Sequence, residues 1–488
     1  MKRMFFVVAA AALLLAGCDL PTDPSKGSGQ TPPLVVPSTV SDSPGPAPGF
    51  GSGGVVTVGS SGKQTFIHRA VVDSSHRIVA VQYEMTQPGP GSVAPPTTKL
   101  VRFTEAGKLD TSFGSGGYFE PPTVASTATA LSVTTSGSPT VEYWDTAVDA
   151  DGSAYLSGSL YSESGGANQF TAFLVKVTST GNLDTSFGTN GYVNLGYAQS
   201  ATVHSLASGV VVSFMATTNL GTIVEKVSAA GAVGSPCTVE GIPSGQTANN
   251  QSPGGGQNGD YSSFPDSLLS PDGNSLYVPA YLVTTSGGTL TRTLKVAKVD
   301  LTSTPTLDSS YGTSGYASTV VTPPAGYLFS IHGTQVVDGD GNVILLMRTR
   351  AQAQGASQGS AGFQLLRFQA DGTYDTNFDA TFHYPTGDAS PYNGILAGNK
   401  LVLGGSYRAT GSTSRSGCLL RFDLTTGVQD TNYGTGGILK PLSSLNAPSS
   451  FIMDLILDRG SILAIGNIMS AAAAGSMPSM TTVMVRLQ

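Results

Sequence analysis

The sequence predicts an all-β fold, a seven-bladed β-propeller whose ring is closed by pairing of the N-terminal and C-terminal strands. Three observations lead to this prediction: a turn motif recurs along the chain, a hydrophobic hairpin signature occurs seven times, and the two ends of the folded region complement each other. Short runs of Val, Leu, Tyr, Phe and Thr alternate with Gly, Asp, Asn, Ser and Pro, without a convincing amphipathic helix. This pattern is typical of an all-β repeat protein.

The recurring motif reads Leu-Asp-Thr-Ser-Phe-Gly-Thr-Asn-Gly-Tyr-Val at residues 183–193. Its short polar side chains can bond backbone amides one or two residues further on, and its glycines permit positive φ. The aromatic ring would then anchor the turn in a core. Other copies stand at 109–118, 307–316, 374–379, 429–438 and, truncated, 50–56. The predicted structural anchors are Phe50, Phe113, Phe187, Tyr311, Phe378 and Tyr433.

A second signature, in which a polar turn joins two hydrophobic strands, sets the number of units. It occurs at residues 71–80, 147–156, 206–212, 269–278, 336–344, 395–402 and 457–463. The turn motif that should accompany the third of these has decayed near residues 223–233. We therefore predict seven blades, and six or eight if the unit near Val233 is misread.

The two ends of the folded region predict how the ring closes. Most copies of the turn motif follow an apolar strand with a basic residue, as in Leu100-Val101-Arg102-Phe103. The chain stops at residues 483–487 with such a strand and no turn, and the folded region begins at Phe50 with the turn and no strand. This complementarity indicates a closed ring, because open solenoids end in capping repeats instead.

The Leu-Asp-Thr-Ser-Phe-Gly copies resemble the delta-60 repeat, a bacterial repeat similar to propeller-forming repeats and found in exported proteins. The resemblance spans residues 50–488, is strongest in the units that end at Phe113, Phe187 and Tyr311, and is nearly lost near Val233. At Phe378 the motif glycine is replaced by Asp379. The resemblance implies a propeller and export, and it brings no catalytic residues to this chain.

The first residues have the pattern of a secretion signal. Lys2 and Arg3 precede an apolar run, residues 5–16, that is too short for a stable membrane span. The run ends in Leu15-Ala16-Gly17-Cys18, which resembles the bacterial lipoprotein cleavage box. The resemblance implies cleavage before Cys18 and a lipid on its thiol; an ordinary secretory signal with an incidental cysteine is the alternative.

Three regions follow from these observations. We expect a lipoprotein signal peptide at 1–17, a disordered tether rich in Pro, Ser and Gly at 18–49, and the propeller of delta-60-like repeats at 50–488. The lipid would hold the protein on a membrane of the bacterial cell envelope, facing the periplasm or the cell surface. The sequence does not distinguish the two.

Charge and cysteine content narrow the classes of partner. The formal net charge is −7, only 11% of residues are charged, and no basic stripe is present, which argues against nucleic acid and against docking on anionic lipid. Cys237 and Cys418 lie in different repeats, so we expect free thiols and no disulfide framework. We expect a monomer.

No catalytic residues are predicted. The five histidines lack metal-ligand spacing, and neither a Gly-x-Ser-x-Gly elbow nor a phosphate-binding loop is present. Two Asp-x-Asp-Gly segments resemble the start of a calcium loop, but neither has the acidic residue that ends such a loop. Hairpin turns are therefore the prediction, and weak calcium binding is the alternative. The residues concerned are Asp149, Asp151, Asp338 and Asp340.

Two classes of function remain open. The first is a non-enzymatic binding or scaffold protein for a protein or polysaccharide; the second is a propeller enzyme, a metal-dependent lactonase or hydrolase or a sugar lyase, with its site at the central channel. The segments taken as innermost strands, residues 55–58 and 192–195, carry few ionisable groups, which favours the first class. Core packing is the favoured role for Trp144, and lining of the channel mouth the alternative.

Overall fold

The computed structural model confirms the seven-bladed β-propeller that the sequence predicts. It describes residues 41–59, 63–86, 97–164, 167–216, 221–239, 261–263, 267–286, 289–323, 325, 327–330, 335–351, 361–378, 380–382, 387–470 and 479–488. The predicted signal peptide and Cys18 lie outside these residues. No helix among the described residues is long and apolar enough to cross a membrane.

The strands are short and antiparallel, and they follow one another along the chain. In order they are β1 (Val55–Val58), β2 (Lys63–Val72), β3 (Ile78–Thr86), β4 (Thr97–Phe103), β5 (Tyr118–Phe119), β6 (Thr140–Val148), β7 (Ala154–Ser164), β8 (Ala167–Val177), β9 (Tyr192–Leu206), β10 (Gly209–Ala216), β11 (Thr222–Ser228), β12 (Cys237–Val239), β13 (Tyr261–Ser263), β14 (Leu268–Leu269), β15 (Ser275–Ser286), β16 (Thr289–Asp300), β17 (Thr306–Leu307), β18 (Tyr316–Val320), β19 (Tyr327–Ser330), β20 (Gln335–Val337), β21 (Val343–Ala351), β22 (Ala361–Phe368), β23 (Ala380–Phe382), β24 (Gly387–Ala397), β25 (Lys400–Ala409), β26 (Ser416–Asp423), β27 (Ile438–Leu439), β28 (Ser449–Asp458), β29 (Ser461–Met469) and β30 (Met480–Leu487).

The seven blades arise from six hydrogen-bonded sheets, because the long strand β9 belongs to two blades. Its first half pairs with β8 at the outer edge of blade 2, and its second half pairs with β10 and opens blade 3. Blade 1 is β2–β5, blade 4 is β13–β18, blade 5 is β19–β23, blade 6 is β24–β27, and blade 7 is β28–β30 with β1. Unit three, whose motif has decayed in sequence, keeps its hairpin, with a bridge from Val227 to Val233.

One short helix, α1 (Val124–Ala130), joins blades 1 and 2, and two single-turn 3-10 helices lie at Thr376–Phe378 and Ser443–Leu445. The Thr123 side chain caps α1 by accepting a hydrogen bond from the Ser126 amide. The sequence did not predict this helix, because its Ala- and Thr-rich segment is too short to show a helical hydrophobic period.

The innermost strands are identified by their contacts around the ring. Strand β28 contacts β2, β2 contacts β6, β6 contacts β9, and β20, β24 and β28 follow in the same way. The two segments predicted to be innermost, 55–58 and 192–195, are instead the outermost strands of blades 7 and 2. That prediction was wrong because the turn motif closes each blade at its outer edge, so the strand after the motif is the last of a blade and not the first.

Ring closure joins the two ends of the chain as predicted. Strand β1 pairs antiparallel with β30, from Val55 opposite Val485 to Val58 opposite Thr482. The chain before β1 also belongs to the ring, since the Gly45 and Ala47 amides donate to the Gln488 and Arg486 carbonyls at 3.2 and 2.7 Å. The predicted tether, 18–49, therefore ends too late: residues 41–49 pack on the propeller because they supply the part of the last repeat that the C-terminus lacks.

Apolar side chains fill the spaces between blades. The described residues form seven buried clusters, and each is shared by two neighbouring blades around the ring. All six predicted anchor rings lie in this interior with at most 2% of their surface exposed. Burial of rings of this size supplies much of the apolar contact that keeps neighbouring blades together.

The turn motif also links blades through polar contacts. In unit two, the amide of Gly114, which follows the anchor Phe113, donates to the Thr180 carbonyl of the next blade at 2.8 Å. Arg102 lies over the Phe113 ring, 4.5 Å from its centroid, and its Nε donates to Asp110 at 2.7 Å. The basic residue and the Asp of the repeat are therefore structural partners that hold the anchor ring between a cation and the core.

Candidate binding site at the central channel

Four innermost strands carry a β-bulge at the same place. The pairing with the next strand skips one residue in β2, β6, β24 and β28. Each skipped residue is partly exposed and lies between two buried neighbours. Both faces of an innermost strand are covered by adjacent blades, so the exposed side of these residues opens onto the central channel. They are His68, Trp144, Tyr392 and Met453, and we call them the channel arc.

The channel arc spans four successive blades, in the order 6, 7, 1 and 2. The His68 and Trp144 rings lie 6.0 Å apart between centroids, and His68 Nδ1 is 2.7 Å from the Trp144 carbonyl oxygen. A carbonyl oxygen only accepts, so this contact places a proton on Nδ1. Trp144 Nε1 donates to Ser159 Oγ at 3.2 Å, which fixes the plane of the indole. Trp144 thus lines the channel, and the favoured prediction of a core role was wrong because a bulge turns its ring out of the pleat.

A buried ion cluster lies directly after the bulges. Arg69 Nε is 3.0 Å from Asp145 Oδ1, and Arg69 Nη1 is 3.9 Å from Asp454 Oδ1. Asn393 Nδ2 donates to Asp454 Oδ1 at 2.6 Å. These four residues are at most 4% exposed, and they come from blades 6, 7, 1 and 2. The expectation that innermost strands carry few ionisable groups was therefore wrong, because it was drawn from outermost strands.

The two carboxylates of the ion cluster also cap the open edges of innermost strands. Asp145 accepts from its own neighbour, the Thr146 amide, at 2.9 Å and from the Val203 amide of the next blade at 3.0 Å. Asp454 does the same with the Leu455 amide at 3.0 Å and the Ala70 amide at 3.1 Å. An innermost strand leaves amides unpaired on its channel side, and these carboxylates satisfy them across the blade boundary.

His204 continues the buried polar layer into blades 3 and 4. It is fully buried, and its Nε2 lies 3.0 Å from both the carbonyl oxygen and Oγ of Ser267. Burial, and then the positive charge of Arg69, lower the pKa of His204 to about 3. His204 is therefore neutral at physiological pH. Its contact with a serine hydroxyl does not form a nucleophile for an external substrate, because Ser267 is also fully buried.

Blades 5 and 6 provide cationic groups beside the channel arc. The Tyr392 hydroxyl lies 3.3 Å from Ser406 Oγ, and Arg415 Nη1 donates to the same Ser406 Oγ at 3.1 Å. Arg415 Nη1 also donates to Ser390 Oγ at 3.4 Å. On blade 5, the Arg348 guanidinium carbon lies 5.3 Å from the Tyr392 ring centroid. We call these five residues the arginine–tyrosine sector.

The predicted metal-like residues lie in hairpin turns between the first and second strands of their blades. In blade 5, Asp338 Oδ1 accepts from the Asp340 and Asn342 amides at 3.0 and 2.8 Å, and Oδ2 accepts from Asn342 Nδ2 at 2.8 Å. Gly341 has φ of 86°, as such a turn requires. The Asp338 carboxylate is thus engaged by its own turn, and calcium binding stays a prediction.

The corresponding turn of blade 2 holds two carboxyl groups close together. The Ser153 amide donates to Asp149 Oδ1 at 3.0 Å and to Asp151 Oδ1 at 2.7 Å. Burial and the neighbouring Asp151 raise the pKa of Asp149 to about 6, while the hydrogen bond from Asp149 lowers the pKa of Asp151 to about 2. Among the described residues, no group of three or more His, Cys, Asp or Glu side chains is placed to hold a metal ion.

Cys237 and Cys418 are both buried free thiols. His332 and His383 lie outside the described residues, and the remaining predicted residues have been placed above. Neither the channel arc nor the ion cluster was predicted as a site. One sequence signal could have found the ion cluster: a charged residue stands four positions before the turn aspartate in Arg69-Ala-Val-Val-Asp73, Asp145-Thr-Ala-Val-Asp149 and Asp454-Leu-Ile-Leu-Asp458.

Comparisons with known proteins bear on the fold alone. No family model matches this chain, and no curated protein matches it. Among solved structures, the chain is similar to the polysaccharide lyase Uly1, with TM-score 0.48 and 11% identity, over 87% of this chain and 90% of that one. It is similar to the β-propeller domain of the Trilobed protease from Pyrococcus furiosus, with TM-score 0.39 and 7% identity over 87% and 94%. It is also similar to the α-L-arabinofuranosidase Arb93A from Fusarium graminearum, with TM-score 0.37 and 10% identity over 74% and 94%.

Proposed function

We propose that this chain is a lipid-anchored, extracytoplasmic β-propeller that binds a polysaccharide in its central channel without cleaving it. The observation that carries the proposal is the channel arc, in which two aromatic residues, a histidine and a methionine are turned into the channel by equivalent bulges. A sugar ring presents a flat face of C–H groups that packs on an aromatic ring, while its hydroxyls bond nearby polar groups. A concave site with rigid aromatic walls and a few placed polar groups suits such a ligand.

The condition of the channel carboxylates supports binding over catalysis. A general base needs a carboxylate or imidazole that is free to take a proton from the substrate. Asp145 and Asp454 are at most 1% exposed, and each already accepts two backbone amides in addition to its contact with Arg69. We therefore assign these carboxylates to holding the ring together and assign ligand contact to the channel arc.

The test is binding of soluble oligosaccharides to the full chain, followed by the fluorescence of Trp144, the only tryptophan. Stacking of a sugar on the indole should change the emission, and Tyr392→Ala should weaken binding at least tenfold, since it removes one wall of the site. Tyr118→Ala is the matched control, because Tyr118 is also partly buried but lies on the outermost strand β5. Equal loss in both variants, or no binding to any oligosaccharide, would overturn the proposal.

The same mixtures test the enzymatic alternative. A hydrolase would release new reducing ends, and a lyase acting on uronic acids would produce an unsaturated sugar that absorbs in the ultraviolet. Either product, formed in proportion to protein concentration and with or without added divalent metal, would replace the binding proposal by the enzyme.

The membership and location of the protein are further parts of the proposal. The repeats that carry the anchor rings support a place among delta-60-like proteins, and the cleavage-box pattern at Cys18 supports a lipid anchor in the cell envelope. Metabolic labelling with a radioactive fatty acid should label the wild-type chain and not Cys18→Ser. Label on the serine variant would refute lipidation at this cysteine.

A further inference from the structure

The arginine–tyrosine sector differs from the rest of the channel arc in its charge. Beside Trp144, the guanidinium of Arg69 is met by two buried carboxylates, Asp145 and Asp454, within 4 Å. Beside Tyr392, two further guanidinium groups, those of Arg348 and Arg415, converge on one ring and its hydroxyl partner. The channel is thus chemically asymmetric, with its added cations on the side of blades 5 and 6.

Burial gives these cations different tasks. Arg348 is 4% exposed and lies over the ring of Tyr392, so it acts through its field in a surrounding of low dielectric constant. Arg415 and Tyr392 are partly exposed, so both can contact a ligand directly. The hydroxyls that hold Arg415, Ser390 and Ser406, are themselves at most 2% exposed, which makes them a fixed support for the guanidinium.

One neighbouring arginine is left out for a structural reason. Arg408 follows Ser406 by two residues on the same strand, but it stands opposite Asp388 in the β24–β25 pair. Opposite charges in such cross-strand positions interact. We therefore use Arg408 as a comparison and not as part of the site.

We propose that the channel selects anionic polysaccharides, with the partly exposed Arg415 guanidinium receiving a carboxylate or sulfate group while the sugar stacks on Tyr392. This inference rests on the proposed function. A guanidinium donates two parallel hydrogen bonds to a carboxylate or sulfate, which gives recognition a direction as well as a charge. The preference must be local, because the whole chain has a net charge of −7 and does not attract anions at long range.

The decisive comparison uses one sugar backbone in two charge states. Oligogalacturonides with free carboxylates and the same oligomers as methyl esters are titrated into the full wild-type chain, with Trp144 emission and calorimetry as readouts. We expect the free acid to bind at least tenfold more tightly at low ionic strength, and the difference to shrink in 0.5 M salt, where exposed charges are screened. A sulfated oligosaccharide and its desulfated form, titrated in parallel, show whether sulfate replaces carboxylate.

Variants then locate the preference. Arg415→Gln should abolish the difference between acid and ester while leaving ester binding within threefold of wild type, and Arg408→Gln should keep the difference. Equal affinity of the wild type for acid and ester, in both the uronate and the sulfate series, would overturn the inference and leave the proposed binding function standing. No binding of any oligosaccharide would overturn both. Because the acid–ester comparison is made on the wild type, it does not depend on the folding of a variant.

Discussion

Replacement of Arg69 by leucine is the sharpest test of the ion cluster. Arg69 is 3% exposed, and the two carboxylates that it contacts, Asp145 and Asp454, are at most 1% exposed. The leucine side chain keeps apolar volume but removes the only positive partner that the described contacts give both carboxylates. Two negative charges from blades 2 and 7 would then face each other across blade 1 in a site of low dielectric constant.

The expected cost follows from the burial of the remaining charges. Removal of one partner from a buried ion pair typically destabilises a protein by about 3–5 kcal/mol, because the other charge is left uncompensated. Asp145 and Asp454 each keep two amide donors, which stabilise a carboxylate, so we expect about 3 kcal/mol. The assay is urea unfolding followed by Trp144, which is adjacent to Asp145 in sequence and therefore reports on this site.

A second substitution separates the charge effect from a packing effect. In the double variant Arg69→Leu with Asp145→Asn, one unpaired charge is removed, so the variant should be more stable than additivity of the two single changes predicts, by about 0.5–3 kcal/mol. The control is Arg459→Leu, which breaks an ion pair with Glu105 on a side chain that is 46% exposed and should cost less than about 1 kcal/mol. Strict additivity, or equal losses for Arg69→Leu and Arg459→Leu, would refute the assignment.

Three further predictions concern acid lability, ring closure and the repeated turn. Because the pKa of His204 is lowered to about 3, its neutral form stabilises the fold above pH 6.5 and the benefit is lost as pH falls; at pH 5 the loss is about 2 kcal/mol, so His204→Gln should be less destabilised between pH 7 and 5 than wild type in urea titrations. Phe50→Ala, which empties an anchor position supplied by the N-terminal segment, should cost about 3–5 kcal/mol in the same assay, and a loss below 1 kcal/mol would show that the segment does not hold the ring. Gly191→Ala should lower the melting temperature, because φ is 92° and a Cβ would lie 2.6 Å from Leu183 Cδ1, whereas Gly49→Ala, with no atom within 4 Å, should not.

The outer part of each blade could be read from the sequence because its determinants are local. The Asp of the motif accepts the amide two residues on, as in Asp184 and Ser186 at 3.1 Å, and the aromatic ring three residues after the Asp is buried. Turn chemistry and aromatic burial depend on residues only a few positions apart, so each copy carries its own structure. The closing of the ring was predictable for the same reason, since the copy at Phe50 lacked a strand that only the C-terminus could provide.

The centre of the ring could not be read in this way, because a bulge shifts the alternation of a strand by one residue. Hydrophobic periodicity of two places Tyr143 and Asp145 on one face and Trp144 on the other. The bulge in β6 instead buries both Tyr143 and Asp145 and leaves Trp144 facing the channel. The identity of the innermost strand depended, in addition, on which end of the repeat closes a blade, and that is set by pairing between residues far apart in sequence.

The contrast between rim and centre bears on what the protein binds. At the rim the same contacts recur from blade to blade: a cation over an anchor ring is seen for Phe50, Phe113, Phe378 and Tyr433. At the centre, equivalent bulges present four different side chains, and the residues that follow them, Arg69, Asp145, Asn393 and Asp454, pair with one another and not with copies of themselves. Structural repetition alone would give every blade the same inner residue, as it does for the anchor rings. A ring whose scaffold is repeated and whose channel is asymmetric is therefore suited to hold a directional ligand, such as a polysaccharide chain, in a single orientation.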